Sequence, residues 1–288
     1  MPRVAPHLRS PDAVHHAPPD ELVANGAFFV RPPSDILGRW ECFLRPPPLP
    51  HQLDVLRQVL ATLGSWDRER PPVVVFDLDA TLFDNRPRTL EILMEYREEI
   101  ADEDPDLADA MLTLEVDKIC YLLTDTLKEC NVYRGDVVKE ITTFWHDRFF
   151  TDAYIACDVP LAGSVEYVRA AYESGANVCY LTGRDLPGML PGTVAKLRDD
   201  GFPIGVAGIE LILKPDPGMH DEAFKRGALP TLDRVGELVA FFDNEPANCN
   251  LAKAMFPDAT VVLLETQRVP GAPEPAEDLE ILADFRMD

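Results

Sequence analysis

The spacing of apolar residues changes along this chain and divides it into regions. Leu53, Leu56, Leu60 and Leu63 share one helical face, which predicts an amphipathic helix from about residue 51 to 63, closed by Gly64. After Pro71-Pro72 the run Val73-Val74-Val75-Phe76 predicts a short strand buried on both faces. The spacing then becomes helical and stays so to residue 157. Leu90, Leu93 and Ile100 form one stripe; Leu112, Val116, Ile119, Leu123 and Leu127 form a second; Val137, Val138, Ile141, Trp145 and Phe149 form a third. No strand-like alternation interrupts them, and Asp106 and Gly135 serve as punctuation.

From Asp158 strand and helix alternate. Helices are expected over 161–172 (stopped by Gly175), 190–197 (closed by Gly201), 221–238 with a break at Pro230, and from 246 through Met255. Strands are expected at 176–181, 209–213, 239–242 and 260–264. This order predicts an α/β fold, a Rossmann-like parallel sheet wrapped by helices, with an inserted all-helical cap. The division expected is a Pro-rich N-terminal extension over 1–70, a core formed by 71–86 with 158–268, a cap over 87–157, and a tail over 269–288. In the tail only a short helix near 277–283 is suggested. Within the extension, residues 26–30 and 40–44 read as short extended pieces laid on the main domain, and His15-His16 as a solvated pair.

A formal charge of −23 weighs against nucleic acid and against anionic membrane surfaces as partners. It leaves room for a small anionic substrate, because a metal and a few local cations override a distant field. Six cysteines lie scattered without a C-x-x-C pair, as in a reduced intracellular protein, and no apolar stretch is long enough to span a bilayer. A cytoplasmic setting is the expectation.

The chemistry concentrates at strand ends. The strand at 73–76 delivers Asp77 and Asp79 at its carboxyl end, where open α/β sheets bind ligands. Alternation sets both carboxylates on one side with Leu78 turned away, and two such charges call for a cation or a shared proton. A hard divalent cation suits oxygen ligands. A plainer reading makes this an acidic strand-to-loop junction with Thr81 as a helix cap. The later strands end in Thr182-Gly183-Arg184 and in Asp243-Asn244-Glu245-Pro246, and Lys225 precedes the latter strand.

D-x-D-x-T after a strand, Leu-Thr-Gly-Arg after another, a lysine, and Phe-Phe-Asp-Asn-Glu-Pro-Ala-Asn after a third resemble, in order, the four motifs of the haloacid dehalogenase-like (HAD) hydrolases. The resemblance covers about residues 71–268. It implies a Mg²⁺-dependent phosphatase acting on a small soluble phosphomonoester through an aspartyl-phosphate. Asp77 would be nucleophile and metal ligand. Asp79 would be general acid then base, with its backbone carbonyl on the metal. Thr182 and the Gly183 amide would hold the phosphoryl group, Lys225 would neutralise nucleophile and phosphate, and Asp243 would complete the metal shell. Such charge cancellation is what a carboxylate needs to attack a dianionic phosphate.

Lys214, at the end of the 209–213 strand, is the rival for the lysine role and a candidate contact to distal substrate or a partner of Asp216. Asn244 stands where the motif often has a second acid, so Asn244 or Glu245 is expected to assist the metal, while Asn248 either caps the turn or ligates. Arg86 and Arg88 at the hinge are candidate anion contacts, and Trp145, His146, Arg148 and Phe149 are candidate substrate contacts, with most of that aromatic stripe expected to form cap core. Asp79 argues against dehalogenation. A phosphonatase would need a cap lysine such as Lys118, Lys128 or Lys139, and phosphotransfer to a sugar or a non-catalytic phosphate-binding role are the other readings.

Overall fold

A computed structural model describes residues 51–287; the segments at 26–30 and 40–44, His15-His16 and Cys42 lie outside the described residues. Helix α1 (Gln52–Gly64) leads into strand β1 (Pro72–Phe76). A two-residue strand β2 (Phe83–Asp84) follows, and then the helices α2 (Arg86–Ile100), α3 (Pro105–Met111), α4 (Leu123–Glu129), α5 (Gly135–Phe149) and α6 (Asp152–Ile155). Strand β3 (Val159–Pro160) returns the chain to β2, antiparallel. The second half comprises α7 (Ser164–Glu173), β4 (Asn177–Asp185), α8 (Leu186–Asp200), β5 (Ile209–Lys214), α9 (Asp221–Ala228), β6 (Glu237–Asp243), α10 (Pro246–Met255), β7 (Thr260–Leu264) and β8 (Glu280–Leu282).

The main sheet has the order β5-β4-β1-β6-β7-β8, and every neighbouring pair is parallel. β1 is therefore central and its carboxyl end is flanked by those of β4 and β6. Alternation along the buried strands separates two apolar layers. Val74, Phe76, Val178, Tyr180, Phe242 and Val262 face α1, α7 and Leu197 of α8. Val73, Val75, Cys179, Leu181, Phe241 and Val261 face the other way, against Phe224, Leu229, Cys249 and Ala252. The α/β class and the parallel sheet agree with the alternation read along the chain.

Four local expectations are corrected. The stripe from Leu112 to Leu127 is not one helix: Val116–Lys118 is a single 3₁₀ turn, α4 starts only at Leu123, and Leu112 is exposed. The helix from Asp221 ends at Ala228; a 3₁₀ segment, Leu229–Arg234, follows Pro230's break, and β6 already begins at Glu237. Pro230 cannot supply an amide to continue the α-helical ladder. The two crossings at 83–84 and 159–160 pair as a short ribbon, too brief to show as alternation. Finally, 280–282 is an edge strand rather than helix. Leu282 and Phe285 are buried, and Phe285 packs on Phe76, Tyr167 and Phe242.

At the other end Val55, Leu56, Val59 and Leu63 of α1 join the sheet's own apolar layer, and Gln52 donates to Asp284 (2.8 Å) and to the Arg286 carbonyl. The helices between the crossings carry a core of their own, including Leu93, Met111, Ile119, Leu127 and Ile141. No described helix is long and apolar enough to cross a membrane.

Candidate active site

β1 ends at Phe76, and the Asp77 amide donates to the Phe242 carbonyl of β6 (2.9 Å), which ties the two strand ends together. Beyond it the chain coils tightly: the Leu78 carbonyl accepts from the amides of Thr81, Leu82 and Phe83. Leu78 is fully buried in the apolar layer, so it does turn away from the polar side. Ala80 sits in the left-handed region at φ 57°, a conformation that costs a residue with a Cβ.

Asp77 and Asp243 converge on one cation. The Lys225 ammonium donates to Asp77 Oδ1 (2.7 Å) and to Asp243 Oδ2 (2.6 Å), and all three side chains are buried. Asp243 is held further by the Glu245 amide (2.9 Å) and by Asn248 Nδ2 (3.1 Å to Oδ1). Burial drives the Asp77 carboxyl upward; Lys225 draws it back, Asp243 pushes it up again, and it stands at about 7. For Lys225 burial opposes the charge, but Asp243 and Asp77 outweigh it and hold the ammonium well above the ordinary lysine range. Above about pH 7, where Asp77 is ionised, two carboxylates against one ammonium leave this buried triad with an unbalanced negative charge.

Asp79 goes elsewhere. Its Oδ2 accepts from Arg184 Nε (2.8 Å), and its Oδ1 accepts from Arg184 Nη2 and Arg88 Nη2 (both 3.0 Å). Burial works to raise this carboxyl, but Arg184 and then Arg88 outweigh it and hold it well below the usual carboxylate range. The two aspartates, whose closeness called for a cation or a shared proton, thus have different partners, a lysine for Asp77 and two arginines for Asp79.

Thr182 is buried within β4, which runs on to Asp185 instead of ending at residue 181 as expected, and its Oγ1 accepts from the Arg184 amide (3.2 Å). At Gly183 a Cβ would lie 2.4 Å from Asp221 Oδ2, so a side chain there would displace the Asp221 carboxylate from its place beside β4. Lys214 does not reach Asp77: its ammonium donates to Asp221 Oδ1 (2.8 Å) and the Met219 carbonyl (3.2 Å), and Asp221 takes the place expected for Asp216. The geometry therefore puts Lys225, and not Lys214, against the acidic pair.

Asn244 and Glu245 make their hydrogen bonds to other partners. Asn244 accepts from Thr81 Oγ1 (3.3 Å) and donates to the Gln267 carbonyl (2.6 Å), and Glu245 accepts from the Val269 amide (2.9 Å). Neither hinge arginine is a free anion contact. Arg86 pairs with Asp84 (2.7 Å), while Arg88 is wholly buried between Asp79 and Asp158. In the cap, Trp145 stacks on Phe149 and donates to Thr89, and Arg148 pairs with Glu95. Lys118 donates to the Thr113 carbonyl and Lys128 to Asp125, so neither is placed as a Schiff-base lysine. Sequence reasoning passed over Arg184 and Asp158. Arg184 stands in the quoted Leu-Thr-Gly-Arg run, whereas nothing local distinguishes Asp158 from an ordinary linker acid.

The donor chemistry fits Mg²⁺. Asp77 and Asp243 already hold oxygens about one cationic point, and this ion is commonly bound by one or two carboxylates with backbone, water and substrate oxygens completing the shell. Among the described residues no group of three or more His, Cys, Asp or Glu side chains that could hold a metal ion is assembled.

No family model matches the chain, and neither does any curated protein. Solved structures do resemble it. It is similar to Mycobacterium tuberculosis Protein Tyrosine Kinase A at 16% identity, over 74% of this chain and 94% of that one, with a TM-score of 0.45. It is similar to a HAD-superfamily hydrolase, subfamily IA, variant 1, from Geobacter sulfurreducens at 15% identity, over 75% and 93%, with a TM-score of 0.43. A class C acid phosphatase from Bacillus anthracis matches at 16% identity over 69% and 62%, with a TM-score of 0.40. At such identities and TM-scores none of them assigns a role to any residue here.

Proposed function

We propose that this chain is a HAD-type phosphatase, dependent on Mg²⁺, that hydrolyses a small soluble phosphomonoester. The observation that carries the reading is the buried triad, in which Lys225 bridges Asp77 and Asp243, with β4, which carries Thr182 and Gly183, pairing directly with β1. A buried ion triad is a poor device for stability alone, because desolvation offsets much of the Coulomb attraction. It is a good device for accepting a phosphate that arrives with a cation.

In this reading an Asp77 oxygen forms a bond to phosphorus as the bond from phosphorus to the leaving oxygen breaks, and that oxygen takes its proton from Asp79, which must first draw one from solvent against the pull of Arg184 and Arg88. Water then attacks phosphorus, the bond to Asp77 breaks, and Asp79 takes the water's proton. Asp79 between its arginines is in the charged form that suits this second half. Thr182 and the Gly183 amide would hold the transferring group. Asp77, Asp243 and the Asp79 carbonyl would hold Mg²⁺, whose chemistry is to offset charge on the phosphate oxygens. The helices over 86–155 would act as a lid that excludes water and selects the substrate.

The test is hydrolysis of p-nitrophenyl phosphate by the purified chain. Activity should vanish in EDTA, return with Mg²⁺ and return poorly with Ca²⁺, whose larger shell fits a sparse site less well. Undiminished turnover in chelator would overturn the metal dependence. Absence of turnover under every metal condition would overturn the phosphatase reading.

A further inference from the structure

Behind Asp79 lies a closed ring of alternating charge. Asp158 Oδ1 accepts from Arg88 Nε (2.8 Å), and its Oδ2 accepts from Arg184 Nη2 (2.7 Å) and from Arg88 Nη2. The same two guanidiniums hold Asp79 from the other side. Arg88, Arg184 and Asp158 are at most 1% exposed in their side chains, while Asp79 is 28% exposed, so the ring opens to the site only at its Asp79 corner. Arg88 also donates to the Phe149 carbonyl (3.2 Å) and stacks over the Phe149 ring at 4.5 Å, and Arg184 donates to Thr193 (3.3 Å).

The ring's members come from the parts that join cap to core. Arg88 is in the first turn of α2, just past the outgoing strand β2. Asp158 immediately precedes the returning strand β3. Phe149 closes α5, and Arg184 is fixed in the core strand β4. Two buried arginines and two acids in neutral balance add little to stability compared with apolar residues of similar volume. They do specify geometry, since a guanidinium fork fixes the plane of the carboxylate it grips.

We propose that Arg88 and Asp158 are positioning residues for the reaction: together they fix the Asp79 carboxylate and tie its place to the seating of the two segments that connect cap and core. This rests on the reading of Asp79 as the group that handles the leaving-group proton. Arg184 alone can hold Asp79 through two hydrogen bonds, but Arg184 is itself held by Asp158, and Asp158 by Arg88. Loss of either connecting residue should therefore loosen Asp79 without removing any group that meets the phosphate.

The test uses full-length Asp158→Asn, which keeps the side-chain shape, and Arg88→Lys, which keeps the charge but not the fork. For each, kcat/KM is measured with Mg²⁺ on p-nitrophenyl phosphate and on the alkyl ester β-glycerophosphate, beside a thermal melt. An aryl oxide leaves without help, whereas an alkoxide needs a well-placed proton donor, a contribution of about 10²–10⁴-fold. Positioning predicts a fall of about 100-fold on the alkyl ester, the lower end of that range, and of less than about fivefold on the aryl ester in at least one folded variant. Equal losses on the two esters, or no loss on either, would overturn the positioning role while leaving the phosphatase reading intact. A wild-type chain inactive on both esters would instead overturn the phosphatase reading, and the inference with it.

Discussion

Replacing Asp77 by Asn without any metal present should relieve the acidic pair, and the relief should depend on pH with a definite sign. The substitution keeps the side-chain shape, keeps the Lys225–Asp243 contact at 2.6 Å, and leaves that pair neutral. In the folded chain the Asp77 carboxyl stands at about 7, above its ordinary value of 3.8. Its folded value is raised, so its favourable contribution is complete below the unfolded value and is lost as pH rises through about 7. Three units of displacement correspond to about 4 kcal/mol as a ceiling, at 1.36 kcal/mol per unit. Between pH 5.5 and 7 the wild type should thus lose roughly 1–2 kcal/mol relative to Asp77→Asn, after which the difference should level off. Lys225 stays charged throughout this range and adds no slope of its own. Urea unfolding of both proteins in EDTA, at half-unit intervals of pH, measures the difference directly. Adding Mg²⁺ at pH 7.5 should stabilise the wild type more than the variant, because the ion binds the folded wild-type site. A difference that moves in favour of the wild type as pH rises would refute the reasoning, since it would mean that the Asp77 charge stabilises the empty site.

Three further outcomes are expected. Lys225→Ala should lower the rate of the chemical step by about 10²–10³-fold, as removal of one oxyanion donor does, whereas Lys214→Ala should act mainly on KM; single-turnover kinetics on both would detect a reversal. Gly163→Ala should cost about 2–4 kcal/mol in urea unfolding, because the residue sits at φ 76° and its Cβ would meet the Phe285 carbonyl oxygen at 2.5 Å. Ala80→Gly should raise the thermal midpoint by about 1–4 °C, because Ala80 holds a left-handed conformation that glycine adopts without strain; a fall would show that the methyl group packs usefully.

The sheet was legible because its strands are short apolar runs that end in polar residues, and that pattern survives whatever surrounds it. Asp77, Asp243, Thr182 and Gly183 were found by being at strand ends, and a parallel sheet brings such ends together. Lys225 was harder to choose over Lys214, since both lie near the edge; only the approach of α9 past Gly183 carries one lysine to Asp77 and leaves the other with Asp221. The arginine partners of Asp79 could not be read, because alternation along one strand says nothing about guanidiniums arriving from α2 and β4. Asp158 was invisible for the same reason: its partners lie 70 and 26 residues away. The helix expected at 277–283 failed because Leu279, Leu282 and Phe285 suit helical spacing as well as an edge strand. Only the free edge of β7 decides between them.

Capture of the phosphorylated chain tests the central claim most directly. Wild type, Asp77→Asn and Asp79→Asn would each be mixed with Mg²⁺ and p-nitrophenyl phosphate, quenched in acid within one turnover, and examined by intact mass and peptide mapping. One added phosphoryl group is expected, on the peptide carrying Asp77. It should accumulate most in Asp79→Asn, where water lacks its base, and be absent from Asp77→Asn. Turnover by the wild type with no adduct in any of the three, or an adduct on a residue other than Asp77, would contradict the claim.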